Sequence, residues 1–463
     1  MFDAKTYADR RRALVGALAA EGAASGTILL LGNPEAPRNY AGNAYRFRQD
    51  SSFLYFVGIS LPSLAATIDA ADGRTILYAD DASMDDVIWT GPQEAAALLA
   101  ERSGAQGLRP RAALPGDLAA AGGSLLYLPP YREETRAELA ELTGRGRAAV
   151  DASSSVPLIR AAVALREIKS EAEIAEIERA VATSVDMHKA ALATARAGMR
   201  ESDLAARVAQ VAQAAGGDLS FPPIATTRPQ ILHDHRYAGI LNEGKLFLLD
   251  AGAETEGGYA GDLTTTFPIG PRFDERQRAI YDIVAAMRER ASSMIRPGLP
   301  YREAHLAAAR VAVAGLESLG LMRGDIDEAV AAGAHALFFP HGLGHALGLD
   351  VHDMESYGED LVGYSGEPRS RQFGLRSLRL AKSLAAGMAL TVEPGLYFIP
   401  DLIAEWKAAG RHSAFVDYGA LGPWMAVGGV RSEEDWLVLP EGGRRLGPGL
   451  DSRAAAIEAA RKR

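Results

Sequence analysis

The sequence predicts an α/β protein of two domains, and three observations carry that prediction. The chain has 463 residues, more than one ordinary hydrophobic core serves. Short apolar runs of strand character alternate with alanine- and leucine-rich helical stretches along its first part. A long helical pattern then begins near Val156, and beyond it helices alternate with apolar hairpins. The boundary is placed at about residue 165, giving domains 1–165 and 166–463.

Taken in order, MFDAKTYADRRRALVGALAA has charges where a signal peptide needs an apolar stretch, and it reads as an amphipathic helix. Strand-like runs follow at Thr27–Gly32, Ser52–Ile59, Ala65–Ala70, Thr75–Asp80 and Ser124–Pro130. In the long helical pattern Ser170 is followed by Glu173, the spacing of a capping box. Leu246–Asp250 and Gly261–Phe267 are apolar strands joined by a glycine-rich segment, so they are expected to pair. Period-two counting puts Leu246, Leu248 and Asp250 on one face, and Asp262, Thr264 and Thr266 on one face of the partner. Helices are expected at Glu275–Ile295 and Tyr301–Leu319, separated by Pro297 and Gly298. Two further strands, Met388–Phe398 and Gly428–Leu439, complete the pattern.

Composition bounds the function. Hydrophobic residues make up 48% and charged residues 23%, as in a soluble globular protein. A net charge of −10 argues against a nucleic acid or an anionic membrane as partner. No run of about 18 or more apolar residues exists, so no membrane span is expected. The chain has no cysteine, which removes disulfides, thiol catalysis and thiolate metal sites, and the cytoplasm is the expected location.

Asp250, Asp262, His345, Glu393 and Glu433 lie in order along the second half, each in an apolar context. Singly, a strand carboxylate is more often a cap or a surface residue. Inside apolar strands, however, an unpaired charge is costly, and a metal ion offsets its desolvation. Carboxylates with an imidazole and no thiolate form a hard ligand set, suited to Mn²⁺, Co²⁺ or Zn²⁺ in a carboxylate-bridged pair. Two close divalent ions can activate a water and polarise a carbonyl at once, so hydrolysis is the expected chemistry. Pro394 and Gly395 signal a turn that ends a strand at Glu393. Glu433, Glu434 and Asp435 are consecutive acids, and alternation alone leaves open which of the first two faces the site.

The segment HGLGHALGLDVHD places three of the nine histidines at 341, 345 and 352. A lone histidine is usually a satisfied core or surface residue, but a glycine-spaced cluster suggests backbone close to a ligand. His233 and His235 form a second pair just before the first ligand strand.

At these residues the chain resembles the pita-bread metallopeptidases that act on Xaa-Pro bonds, aminopeptidase P and prolidase. FLLDAGAETEGGYAGDLTTTFPIG is similar to the family's two-aspartate hairpin and HGLGHALGLDVHD to its histidine segment, while LTVEPGLYF and GGVRSEED carry its two glutamates. YRFRQDSSFLYFVGI, Tyr45–Ile59, is similar to the signature of its amino-terminal domain, so the resemblance covers nearly the whole chain. It implies an amino-terminal creatinase/aminopeptidase P-type α/β domain followed by a pita-bread catalytic domain. By family register Glu433, not Glu434, is the ligand. Asp250 would hold one metal ion, Asp262 and Glu433 both, and His345 and Glu393 would complete the second. Glu393 would also take a proton from the attacking water. His233 and His352 would hydrogen-bond the tetrahedral intermediate and the substrate carbonyl, supported by His341 and Arg431.

The resemblance also implies short peptides with proline in second position as substrates, and Mn²⁺ as the metal. Trp89, in Ile88–Pro92, matches a tryptophan that in relatives reaches into a neighbouring subunit's active site, so a homodimer or homotetramer is expected; its bland alternative is packing in the small domain. FFPHGLGH and GLMRGDIDEAV look like bacterial aminopeptidase P, whereas GLRSLR and the insertion Ile399–Ala426 resemble prolidases, in which Arg379 would bind a dipeptide's carboxylate. The reading favours the aminopeptidase, with the dipeptidase as alternative and a metal-free scaffold relative as a remote one. One segment and three single residues depart from the pattern. ATTRPQ replaces a glycine-glutamate-asparagine turn, Phe221 replaces a tyrosine, and Ser432 and Trp436 replace aliphatics.

Overall fold

The computed structural model describes residues 2–462. The chain forms two compact units, residues 1–166 with 354–361, and residues 167–353 with 362–463.

In the first unit a five-stranded mixed sheet runs in the order Gly107–Arg109, Thr75–Tyr78, Ala65–Asp69, Thr27–Leu31, Leu125–Leu126. The Thr27–Leu31 strand is antiparallel to Ala65–Asp69 and parallel to Leu125–Leu126. The amino-terminal helix, Ala4–Ala20, is capped by Asp3 and buries Tyr7, Leu14 and Leu18. The expected strand at Ser52–Ile59 is instead a helix, Ser51–Phe56. Asp50 starts it by accepting the Phe53 N–H at 2.8 Å. All six of its residues are buried, so no polar stripe marked its period, and a short apolar run alone cannot separate a buried helix from a strand. The run at Ser124–Pro130 contributes only Leu125–Leu126 to the sheet.

The second unit opens with the helix Glu171–Thr194, where Ser170 and Glu173 make the reciprocal capping box that their spacing predicts. Such a cap contributes about 1 kcal/mol. The helix Glu201–Ala214 packs against it, and the helices Glu275–Ser292 and Tyr301–Ser318 pack on each other. The Thr264–Pro268 strand pairs antiparallel with Leu246–Asp250, setting Thr264 opposite Asp250, and Ile224–Thr226 flanks the other edge. The segment between the two ligand strands is more than a turn: its Ala253–Glu254 pairs with Asp218–Leu219.

Each of the last two expected strands is broken into two. Ala389–Val392 stops before Glu393-Pro394 and resumes as Gly395–Tyr397; Gly429–Arg431 stops before Ser432-Glu433 and resumes as Glu434–Leu439. Ala389–Val392 pairs with Glu434–Leu439, and Gly395–Tyr397 pairs with Gly429–Arg431. The two breaks therefore fall side by side, and each leaves a glutamate at the kink. Behind them an extensive hydrophobic core gathers Phe247, Phe267, Phe338, Leu390 and Val430.

Candidate active site

A cavity of about 580 Å³ in the second unit is lined by Asp250, Asp262, Glu393 and Glu433, by His233, His341, His345 and His352, and by Arg379 and Arg431. Phe221, Ile224, Leu232 and Val351 supply an apolar wall. Asp262, His345 and Glu433 are buried, and one donor atom from each lies within 4.8 Å of the others. The His345 Nε2 stands 3.4 Å from Asp262 and 3.7 Å from Glu393.

The sequence aims these groups through local backbone chemistry. The histidine segment runs along the Ala389–Val392 strand: Thr391 N–H donates to the His345 carbonyl at 3.0 Å, and Glu393 N–H to the Leu343 carbonyl at 2.8 Å. A Cβ on Gly344 would meet the Thr391 carbonyl at 2.1 Å, so only glycine lets the two backbones approach. The His345 Nδ1–H donates to the Ala346 carbonyl at 3.0 Å, which fixes the tautomer and leaves the Nε2 lone pair facing the carboxylates. Glu433 accepts the Thr264 hydroxyl at 2.7 Å. Glu434 turns away, 3.2 Å from Arg445 and 3.6 Å from Arg288. Asp435 returns to the Glu433 side and accepts the Asp262 N–H at 2.9 Å.

Electrostatically the cluster is under tension. Burial, and then the charges of Asp250, Asp435 and Glu393, raise Asp262 well above the ordinary carboxylate range. Glu433 is raised well above it too, by burial and by Asp262 and Glu393, and burial raises Glu393 against the pull of His345 and Arg431. Asp262 Oδ1 is buried without a hydrogen-bond partner. Hard oxygen donors, one correctly presented imidazole and an orphaned carboxylate oxygen together fit divalent cations, whose charge would reverse that tension.

A chain of hydrogen bonds backs the cluster. Arg431 donates to Asp250 at 2.5 Å and to the Tyr397 hydroxyl at 2.8 Å. Tyr397 in turn donates to His341 Nε2 at 3.0 Å, because His341 Nδ1–H is committed to the Gly342 carbonyl at 2.8 Å. Both nitrogens of His341 are engaged, which suits a supporting role. Burial and the Arg431 charge push His341 down to about 3, and burial pushes the Tyr397 hydroxyl up to about 12. His352 stacks on His345 with ring centroids 3.8 Å apart.

The structure thus brings together every expected site residue of the second unit. Trp89 belongs to the first unit and does not line the cavity. It sits on the helix Met84–Thr90, none of whose residues is buried, and is 85% exposed beside exposed Met84 and Ile88, so it is not part of the small unit's core. Phe221 lines the cavity without a hydroxyl to offer. Ser432 accepts a hydrogen bond from Arg288 at 2.6 Å, which gives its hydroxyl a purpose that an aliphatic residue would not serve. Nothing in the structure explains Trp436. Sequence reasoning missed Tyr397, Thr391 and Asp435; only Asp435 had a signal, two residues from Glu433 on the same face.

The metallopeptidase family M24 model matches residues 175–440, and that of the aminopeptidase P N-terminal domain matches residues 7–125. A probable Xaa-Pro aminopeptidase of Fusarium vanettenii is 31% identical over 86% of this chain and 84% of its own. The Xaa-Pro dipeptidase of Homo sapiens is 29% identical over 90% of this chain and 85% of its own. Among solved structures, the aminopeptidase PepP of Pseudomonas aeruginosa superposes with a TM-score of 0.82 at 28% identity, covering 100% of this chain and 98% of that one. Aminopeptidase P from E. coli with the inhibitor Pro-Leu gives 0.80 at 28% identity, covering 100% and 99%. With both domain models matched in order and the fold shared from end to end, the chain belongs to metallopeptidase family M24, among the aminopeptidase P and prolidase enzymes, and is a metal-dependent hydrolase.

Proposed function

We propose that the protein is an Xaa-Pro aminopeptidase working with two divalent cations, Mn²⁺ foremost, held by Asp250, Asp262, His345, Glu393 and Glu433. The observation that carries this reading is the buried Asp262, His345 and Glu433 cluster, with Glu393 and Asp250 beside it in one cavity. In this reading the catalytic domain is 166–463 and the aminopeptidase P-type domain 1–165. Bound there, such ions supply Lewis acidity toward the scissile carbonyl and toward the attacking water.

The chain's own groups do the rest. Glu393, held at the strand break 3.7 Å from His345, is suited to take the water's proton and pass it to the leaving imide nitrogen. His233 and His352 line the cavity as donors to the oxyanion, and burial followed by the Arg431 charge keeps His233 below its ordinary value, hence neutral. The apolar wall around Phe221 and Leu232 accepts the proline ring, whose fixed φ and missing N–H exclude it from peptidases that need that donor. His341, Tyr397 and Arg431 hold Asp250 in place.

Arg379 lines the same cavity, which favours a second reading as a dipeptidase, with Arg379 binding the substrate carboxylate. For assembly, the unburied helix carrying Trp89 supports a homodimer or homotetramer in which Trp89 closes the cavity of a second copy. Chelation followed by Mn²⁺ addition tests the core of this account: hydrolysis of an Xaa-Pro peptide should vanish and return. Full activity in metal-stripped protein would refute it.

A further inference from the structure

We infer that Asp234 is a positioning residue that fixes His233 toward the cavity, an inference that rests on the donor role given to His233 above. Asp234 is 2% exposed, although His233 and His235 on either side of it are exposed. A carboxylate buried between two imidazoles that both line the cavity needs a reason, and its partners supply one.

Asp234 gathers donors from both ends of its own turn. Its Oδ2 accepts from Arg228 at 2.6 Å and from the Thr226 hydroxyl at 3.3 Å. Its Oδ1 accepts from the Arg236 side chain at 3.0 Å and from the Arg236 N–H at 3.3 Å. Thr226 ends the strand that enters the turn, and Arg236 lies on the way out. One carboxylate therefore ties the entry to the exit, with His233 next to the knot.

Glu201 anchors the turn from beneath. Wholly buried at the start of the Glu201–Ala214 helix, it accepts from Thr227 N–H at 2.7 Å and from Gly239 N–H at 2.7 Å. The base of the turn is thus held whether or not Asp234 is present, and Asp234 governs its tip. The clamp is built from the ATTRPQ segment, where this chain departs from the family pattern and where Arg228 falls. Burial acts to raise Asp234, but hydrogen bonds from Arg236 and the charges of Arg228 and Arg236 hold it below its ordinary value, so the carboxylate is charged and the clamp closed at neutral pH.

The partners of Asp234 are Arg228, Thr226 and Arg236, none of them a proposed metal ligand, so its effect should pass through the turn that carries His233. The test is a double-mutant cycle on the Mn²⁺-loaded protein, with Asp234→Ala, His233→Ala and the pair, measuring kcat and KM on an Xaa-Pro peptide and Mn²⁺ affinity by calorimetry. Asp234→Ala should lower kcat by roughly 10–50-fold with KM and Mn²⁺ affinity little changed, and the pair should be no slower than His233→Ala alone. Losses that multiply in the pair would overturn the inference while leaving the role of His233 standing. Wild-type kcat in His233→Ala would instead overturn the donor role itself, and the inference with it. Should Asp234→Ala fail to fold, Asp234→Asn, which keeps the shape but removes the negative charge that faces both arginines, should show a smaller kcat loss that likewise disappears in the His233→Ala background.

Discussion

Arg431 donates to Asp250 at 2.5 Å with both side chains buried, and the same guanidinium reaches Tyr397. Burial alone would lower Arg431, but Tyr397, Asp250 and Glu393 raise it well above its ordinary value, so it stays charged. Breaking a buried pair leaves the other charge uncompensated. Arg431→Ala should therefore lower kcat by roughly 10²-fold, and Arg431→Lys should recover little, since an ammonium cannot span both partners in one plane. Steady-state kinetics check this; near wild-type turnover in the lysine variant would contradict it.

The kink at Ser432-Glu433 separates two adjacent acids by function. Glu433 points to Thr264 in the cluster, and Glu434 to Arg445 and Arg288. Glu433→Ala should abolish hydrolysis and lower metal occupancy, whereas Glu434→Ala should keep at least about a tenth of wild-type activity. Metal analysis of both purified variants decides it, and the reverse order would move the ligand to Glu434.

Away from the site, His305 and His335 form a buried pair, ring centroids 6.0 Å apart, with no hydrogen-bond partner on any ring nitrogen. Burial pushes His335 down to about 4, and burial with the charge of His335 holds His305 well below its ordinary value. Unfolded histidines titrate near 6.5, so between about 4 and 6.5 the unfolded chain binds more protons. The contribution of these residues to stability is complete above about pH 6.5 and is lost as pH falls toward 4. Thermal midpoints of the Mn²⁺-loaded protein at pH 7 and pH 5 should differ less for His335→Leu than for wild type. An equal difference would contradict this.

Trp89 is 85% exposed on a helix with no buried residue, an expense of apolar surface that a second copy would relieve. Light scattering at micromolar concentration should give a multiple of the 49.0 kDa chain mass. Trp89→Ala should raise KM or broaden the accepted peptide length. A monomer whose variant is kinetically unchanged would refute the assembly.

Much of this site was legible in advance, for physical reasons. Glu393 was marked by Pro394-Gly395, because proline ends a strand wherever its missing N–H would break the ladder. Asp262 was marked by two threonines at period two, and the glycines of the histidine segment by close backbone approach. The helix Ser51–Phe56 was not legible, because burial on all sides erases the helical period. Nor was the Asp234 clamp, whose partners lie within ten residues but whose turn is anchored by Glu201 from the distant Glu201–Ala214 helix. Single-residue alternation also failed to separate Glu433 from Glu434, since the strand breaks there and the period restarts.

Cleavage before proline in chains longer than a dipeptide separates the aminopeptidase from the dipeptidase. The direct measurement compares kcat/KM of the Mn²⁺-loaded protein on an Xaa-Pro dipeptide, an Xaa-Pro-Yaa tripeptide and the matching Xaa-Ala-Yaa tripeptide. Release of the first residue from Xaa-Pro-Yaa should be at least about tenfold more efficient than from either of the others. Cleavage of the dipeptide alone would make the protein a dipeptidase acting through Arg379, and equal cleavage of the alanine peptide would contradict the proline specificity altogether.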